Sequence, residues 1–159
     1  MRQAVHDLKY RGVEARAPLL ADLATEALER RPLEIDLLVP VPLAPGRLRE
    51  RGFNQSELIA SSLATRLDRP IRPSALIRTR ETPHQTRRSA AERRENVADA
   101  FACPTPAEVA EVAGRRVALV DDVMTTGATA AEIARVLLQA GVAEVSVWVV
   151  ARTPKHGDA

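Results

Sequence analysis

Cysteine occurs once in the 159 residues, at Cys103. One thiol forms neither an intramolecular disulfide nor a cysteine-rich zinc site, so nothing points to a secreted disulfide scaffold. Aromatic residues make up only 3%: Tyr10, Phe53, Phe101 and Trp148. Nonspecific single-strand nucleic-acid binding normally stacks bases on exposed rings, and Trp148 lies in a segment that reads as a buried strand, so few platforms remain. No apolar run approaches the roughly 20 residues that span a bilayer, and Met1 to Asp7 lacks the apolar core of a signal peptide. A cytoplasmic protein without membrane insertion is expected. Lysine is confined to Lys9 and Lys155. Every other basic residue is arginine, the residue suited to bidentate contact with phosphate or carboxylate.

What is present is ordinary for a globular chain: 45% hydrophobic and 28% charged residues, with 23 basic and 21 acidic side chains leaving a net charge of +2. About 150 residues can bury roughly 68–70% of their unfolded surface, so one domain with a real core is expected. The distribution of charge says more than its sum. Basic residues outnumber acidic ones in two stretches, Arg47 to Arg51 and Arg78 to Arg94.

Hydrophobic spacing predicts an amphipathic helix from Glu14 to Arg30, through Leu19, Leu20, Leu23, Ala24, Ala27 and Leu28. Ile35 to Val39 reads as a short buried strand ending at Pro40 and Pro42, followed by a polar loop from Leu43 to Phe53. Asn54 has the character of an N-cap, and Leu58, Ile59, Leu63 and Leu67 continue a helical stripe that Pro70 closes. Ala75 to Ile77 is a weak strand. The Arg-rich stretch from Arg78 to Asn96 reads as a long loop, helical in part because Ser89 and Glu92 have capping-box spacing. Val117 to Val120 is an uninterrupted apolar strand, residues 121–128 turn the chain, and Ile133, Ala134, Val136, Leu137 and Ala140 form a helical stripe ended by Gly141. Val145 to Val150 reads as a strand buried on both faces. Strands alternating with helices imply an α/β fold with an open parallel sheet flanked by helices. The domain reading is one unit over 1–159: a helical N-terminal segment or hood at 1–33, a core at 34–151 and a tail at 152–159.

The chemistry concentrates in Val117-Ala118-Leu119-Val120-Asp121-Asp122-Val123-Met124-Thr125-Thr126-Gly127-Ala128-Thr129. Ligands of open α/β sheets bind beyond the carboxyl ends of strands, where this segment sits. Thr125, Thr126, Gly127, Ala128 and Thr129 offer hydroxyls, small side chains and backbone N–H groups at a helix start, which suit a phosphate monoester. Asp121 and Asp122 would repel a ligand that presented phosphate alone. They make sense facing hydroxyls or a metal ion, as a ribose 5-phosphate would present. No Gly-Lys-Ser/Thr occurs and one glycine does not make a dinucleotide fingerprint.

These thirteen residues resemble the phosphoribosyl pyrophosphate (PRPP) signature of type I phosphoribosyltransferases. A second set, Leu8-Lys9-Tyr10-x-Gly12, Val39-Pro40-Val41-Pro42-Leu43, Arg51-Gly52-Phe53-Asn54-Gln55, Arg80-x-Thr82-x-x-Gln85, Arg93-x-x-Asn96 and Ala100-Phe101, resembles the ComF family, phosphoribosyltransferase-like proteins associated with competence and DNA uptake. The resemblance runs from about Leu8 to Ala151. It departs in two places: the four-cysteine zinc module that many members carry is absent from these residues, and Arg88 stands where the family tends to place an apolar residue.

The resemblance implies a type I phosphoribosyltransferase fold with a small N-terminal hood. It implies that the segment from Pro42 to Phe53 binds pyrophosphate, with Pro42, Arg47, Arg49 and Arg51 as candidates, and that Arg78 to Asn96 is a loop closing over the site through Arg80, Gln85 and Arg93. Asp121 and Asp122 would hold the ribose, act with Arg80 and Arg93 in catalysis and touch a Mg²⁺ bound mainly through PRPP. The expected reaction is transfer of the phosphoribosyl group to a nitrogen acceptor of unknown identity, with release of pyrophosphate. Lys9 and Tyr10 read either as a packing pair or as the acceptor side of the pocket. His6, His84 and His156 have no metal-ligand spacing, and Cys103 reads as a packing residue. A second reading keeps PRPP or nucleotide binding without turnover and gives the Arg-rich loops to single-stranded DNA or a competence partner. A homodimer stays open.

Overall fold

The computed structural model describes residues 34–81 and 90–152, with Asp22, Thr25 and Glu26 before them; the side chains at 90, 91, 93 and 94 lie outside the description. Asp22, Thr25 and Glu26 are helical, and Asp22 accepts a hydrogen bond from Arg66 at 2.6 Å. The rest of the expected hood, Lys9, Tyr10, all three histidines, Gln85, Arg88 and the tail beyond Arg152 lie outside the described residues.

Two faces of a parallel sheet organise the chain. Strand β1 (Leu37–Pro40) pairs in parallel with β4 (Arg116–Met124), which pairs in parallel with β5 (Glu144–Arg152), giving the order β1-β4-β5. On the far side of β1, Ile71 bridges to Leu38, with Leu38 N–H donating to Pro70 and Arg72 N–H donating to Leu38, each at 2.9 Å. Successive side chains of a strand point to opposite faces. Leu38, Ala118 and Val120 therefore pack with Ile59, Ala60, Leu63 and Ala64 of helix α2 (Gln55–Leu67). Leu37, Val39, Val117 and Leu119 face Ile133 and Leu137 of helix α5 (Ala128–Gln139). The result is three layers, helix on sheet on helix, as the alternating pattern predicts.

The start of the sheet is fixed by charge. Arg116 donates from Nη2 to Asp36 Oδ1 at 2.8 Å and from its backbone N–H to Asp36 Oδ2 at 2.8 Å. These bonds hold the Asp36 carboxyl well below the usual carboxylate range and lock the register of β1 on β4 at the end of the sheet away from residues 125–129.

Several expectations change on this frame. The segment from Leu43 to Phe53 is not all loop: α1 (Pro45–Arg51) occupies its centre, with Pro45 in the first turn and Gly52 as a left-handed C-cap, φ 80°. No α1 residue is buried, so no apolar stripe marks it in the sequence. Pro73–Ala75 is a 3-10 turn, and the weak strand shrinks to β2 (Ile77–Arg78). β2 pairs antiparallel with β3 (Phe101–Ala102), so both ends of the Arg-rich stretch are tied together. The expected helical part is α3 (Ala90–Val97). Helix α4 (Pro106–Val112), capped by Thr105, was not anticipated from the sequence and shows the core only Val112. β4 extends through Met124, placing the acid pair on the strand rather than in the turn. β5 is not buried on both faces; it stands at the end of the described sheet order, and Val147 is 38% exposed. Cys103 is half-buried against the core, as expected for a packing residue.

Candidate functional site

The site is built where β1 and β4 end and α2 and α5 begin. Asn54 is buried and works in two directions. Its Oδ1 accepts the Ser56 N–H at 3.1 Å, capping α2, while its Nδ2 donates to the Val41 carbonyl at 3.0 Å. Val41 N–H in turn donates to Val120 at 2.9 Å. The exit of β1, the start of α2 and β4 are thereby fastened to one another just below the acid pair. Ser56, also buried, donates its hydroxyl to Asp121 Oδ1 at 3.1 Å, and the Asp122 N–H donates to the same oxygen at 2.8 Å.

The two acids differ in placement. Asp121 lines a pocket; Asp122 is 7% exposed and its Oδ1 accepts the Val123 N–H at 2.7 Å. Burial, followed by repulsion from the Asp122 carboxylate, pushes the Asp121 carboxyl up to about 7, against the lowering effect of its two hydrogen bonds. An acid poised at neutral pH in a cleft is a common mark of a functional site.

The pocket has a volume of about 120 Å³ and collects the loop after β4 into one wall: Thr125, Thr126, Gly127, Ala128 and Thr129, with Asp121, Val123 and Met124 beside them. Thr126 Oγ1 accepts the Ala128 N–H at 3.4 Å, and Gly127 caps α5 with φ 80°. A Cβ on Gly127 would meet only Met124 Sδ, at 3.6 Å, so the glycine is required by backbone conformation rather than by space. The opposite wall comes from α3, through Asn96 and Val97. The turn after α3 is tied to α5: Asp99 N–H donates to Glu132 Oε1 at 2.8 Å, and Arg135 reaches both Asp99 at 3.0 Å and Glu132 at 2.6 Å.

The arginines separate into groups. Arg78, half-buried over the Phe101 ring at 5.4 Å from its centroid, has Arg47 and Arg80 close enough to depress its guanidinium further after burial itself. Arg80 donates to the Ala98 carbonyl at 2.7 Å. Pro42 is half-buried between β1 and α1, and Arg51 ends α1 beside Gly52. Arg93 falls in α3, with its side chain outside the described residues, so its expected role is not placed. Ser56, Arg78 and Glu81 were not singled out as site residues from sequence. Asn96 appears there only as the end of the Arg-rich stretch and within a family motif.

Among the described residues no group of three or more His, Cys, Asp or Glu side chains could hold a metal ion. Asp121 is the carboxylate that lines the pocket, so a Mg²⁺ held there would need most of its oxygen ligands from a bound ligand and water.

Solved structures share this architecture. The glutamine PRPP amidotransferase from B. subtilis superposes over 85% of this chain and 26% of its own, with TM-score 0.56 and 24% identity. The adenine phosphoribosyltransferase from Thermoanaerobacter pseudethanolicus covers 89% of this chain and 70% of its own, with TM-score 0.52 and 19% identity. The fold is that of type I phosphoribosyltransferases. A family model for the phosphoribosyl transferase domain matches residues 54–158. DNA utilization protein YhgH of Escherichia coli K12 is 41% identical over 154 residues, 94% of this chain and 66% of the relative. Competence protein ComFC of Bacillus subtilis is 33% identical over 155 residues, 96% of this chain and 60% of the relative. The chain belongs to the phosphoribosyl transferase domain family, in its ComF group. It spans 66% of the length of its YhgH relatives. No helix among the described residues is long and apolar enough to cross a membrane.

Proposed function

We propose that the chain binds PRPP with Mg²⁺ and transfers its phosphoribosyl group to a nitrogen nucleophile. One observation carries this reading: the Thr-Thr-Gly-Ala-Thr loop and Asp121 line one small pocket at the carboxyl end of a parallel strand. The loop's hydroxyls and N–H groups would take the 5-phosphate. Asp121 would accept from a ribose hydroxyl, and Asp122 would stiffen that end of β4 from beneath. The arginines around α1 and β2, with Pro42 and Arg51 at the same loop, would face the diphosphate. Mg²⁺ would neutralise part of the diphosphate charge when bound.

The chemistry asks little of side chains. The nucleophile's lone pair forms a bond to C1 as the C1–O bond to pyrophosphate breaks, and pyrophosphate leaves with that electron pair. The protein's share is alignment, stabilisation of charge on the leaving group and exclusion of water. Turnover is tested by following pyrophosphate release from PRPP with ammonia, nucleobases and amines in turn. Release that requires both protein and acceptor is expected; PRPP binding with no acceptor-dependent release would leave a PRPP-binding accessory protein. The names of the relatives, DNA utilization protein and competence protein, favour that second reading and give such a protein a place in DNA use.

A further inference from the structure

Glu81 makes a contact that the reading above does not use. Its Oε1 accepts the Gly46 N–H at 2.7 Å, across 35 residues of sequence. The approach is so close that a Cβ on Gly46 would stand 2.2 Å from that oxygen. Arg47 follows Gly46 directly and makes no ion pair among the described residues. The Arg78 guanidinium, half-buried over the Phe101 ring, is near enough to feel the charges of Arg47, Arg80 and Glu81. A carboxylate therefore already occupies a backbone donor beside Arg47, in the segment that follows β1.

We propose that Glu81 is an internal stand-in for the ligand's diphosphate, holding the Gly46 amide while the site is empty and giving it up when PRPP binds. The inference rests on the PRPP reading and concerns its regulation. A negative charge held at Gly46, next to Arg47 and within reach of Arg78, offsets part of the positive charge of the empty site and raises the threshold for weak anions. A diphosphate carries more charge and more acceptor oxygens than one carboxylate, so it displaces Glu81 where a lone inorganic phosphate competes poorly.

The test compares wild type, Glu81→Gln and Glu81→Ala by calorimetry with Mg²⁺-PRPP, pyrophosphate and ribose 5-phosphate. Gln keeps an acceptor for Gly46 and removes the charge; Ala removes both. Glu81 is exposed, so both variants are expected to fold, with a thermal melt as control. PRPP and pyrophosphate should bind about tenfold more tightly to each variant as a like charge is removed. Ribose 5-phosphate, which has no diphosphate, should bind all three proteins alike. Unchanged or weaker PRPP and pyrophosphate binding in the variants, with ribose 5-phosphate still bound, would make Glu81 a brace and overturn the inference while leaving the PRPP reading intact. If wild type and variants bind none of the three ligands, the PRPP reading falls and the inference falls with it.

Discussion

Asp121→Asn is expected to weaken PRPP binding by about 10²-fold or more, because on the proposed reading an ionised acceptor for a ribose hydroxyl contributes roughly 1.5–3 kcal/mol per hydrogen bond and the same carboxylate would touch the bound Mg²⁺. The same substitution should stabilise the empty protein at high pH. The folded-state carboxyl is raised to about 7 from an ordinary value of 3.8. The native state therefore holds a proton that the unfolded chain has already lost, and stability drains away as pH rises from about 4 through 7. Asn cannot ionise, so its melting curve loses that slope. Thermal melts at pH 4 and pH 8 should show wild type and variant nearly equal at the lower pH and the variant higher at the upper one. Parallel behaviour at both pH values would mean that Asp121 is already ionised in the folded protein. A gain in stability paired with a loss of binding is the pattern of a residue held in place for function.

The largest structural effect should come from Asn54→Ala. The substitution removes the α2 cap and strips the Val41 carbonyl of its side-chain donor, both in buried surroundings. Losing an N-cap costs about 0.5–2 kcal/mol and leaving a buried polar group unsatisfied about 1–3, so a loss of roughly 2–4 kcal/mol is expected from urea unfolding. Because Ser56 sits in the freed first turn and holds Asp121, PRPP affinity should fall as well. Asn54→Ser can still accept from the Ser56 N–H and gives up the donor to Val41 without adding a buried charge, so it should be destabilised less. Equal losses for the two variants would show that capping contributes little.

The contiguous parts of this site were legible in the sequence and the assembled parts were not. Asp121, Asp122 and residues 125–129 announced themselves because an apolar strand, two acids and a run of small hydroxylated residues have no shared packing rationale. Helices α2 and α5 were equally plain, since each buries a stripe against the sheet: Ile59 and Leu63 on one side, Ile133 and Leu137 on the other. Helix α1 was hidden because it buries nothing and consists mostly of arginine, proline and glycine. Val145 to Val150 misled because an apolar run reads the same at the end of a sheet as in its middle; only the pairing of β5 with β4 alone tells them apart. Asn96 could not be assigned to the pocket from its neighbours, since it reaches Thr125 to Ala130 only through the packing of α3 on α5. The bond between Glu81 and Gly46 joins residues of no common motif, and the sequence carries no signal of it.

The central claim is that this pocket is made for PRPP, and calorimetric titration of the wild-type chain with PRPP, with and without Mg²⁺, tests it most directly. Saturable binding that tightens with Mg²⁺ and collapses in Asp121→Asn is the predicted result. Failure of wild type to bind PRPP even with Mg²⁺ would contradict it, as would equal binding by wild type and Asp121→Asn.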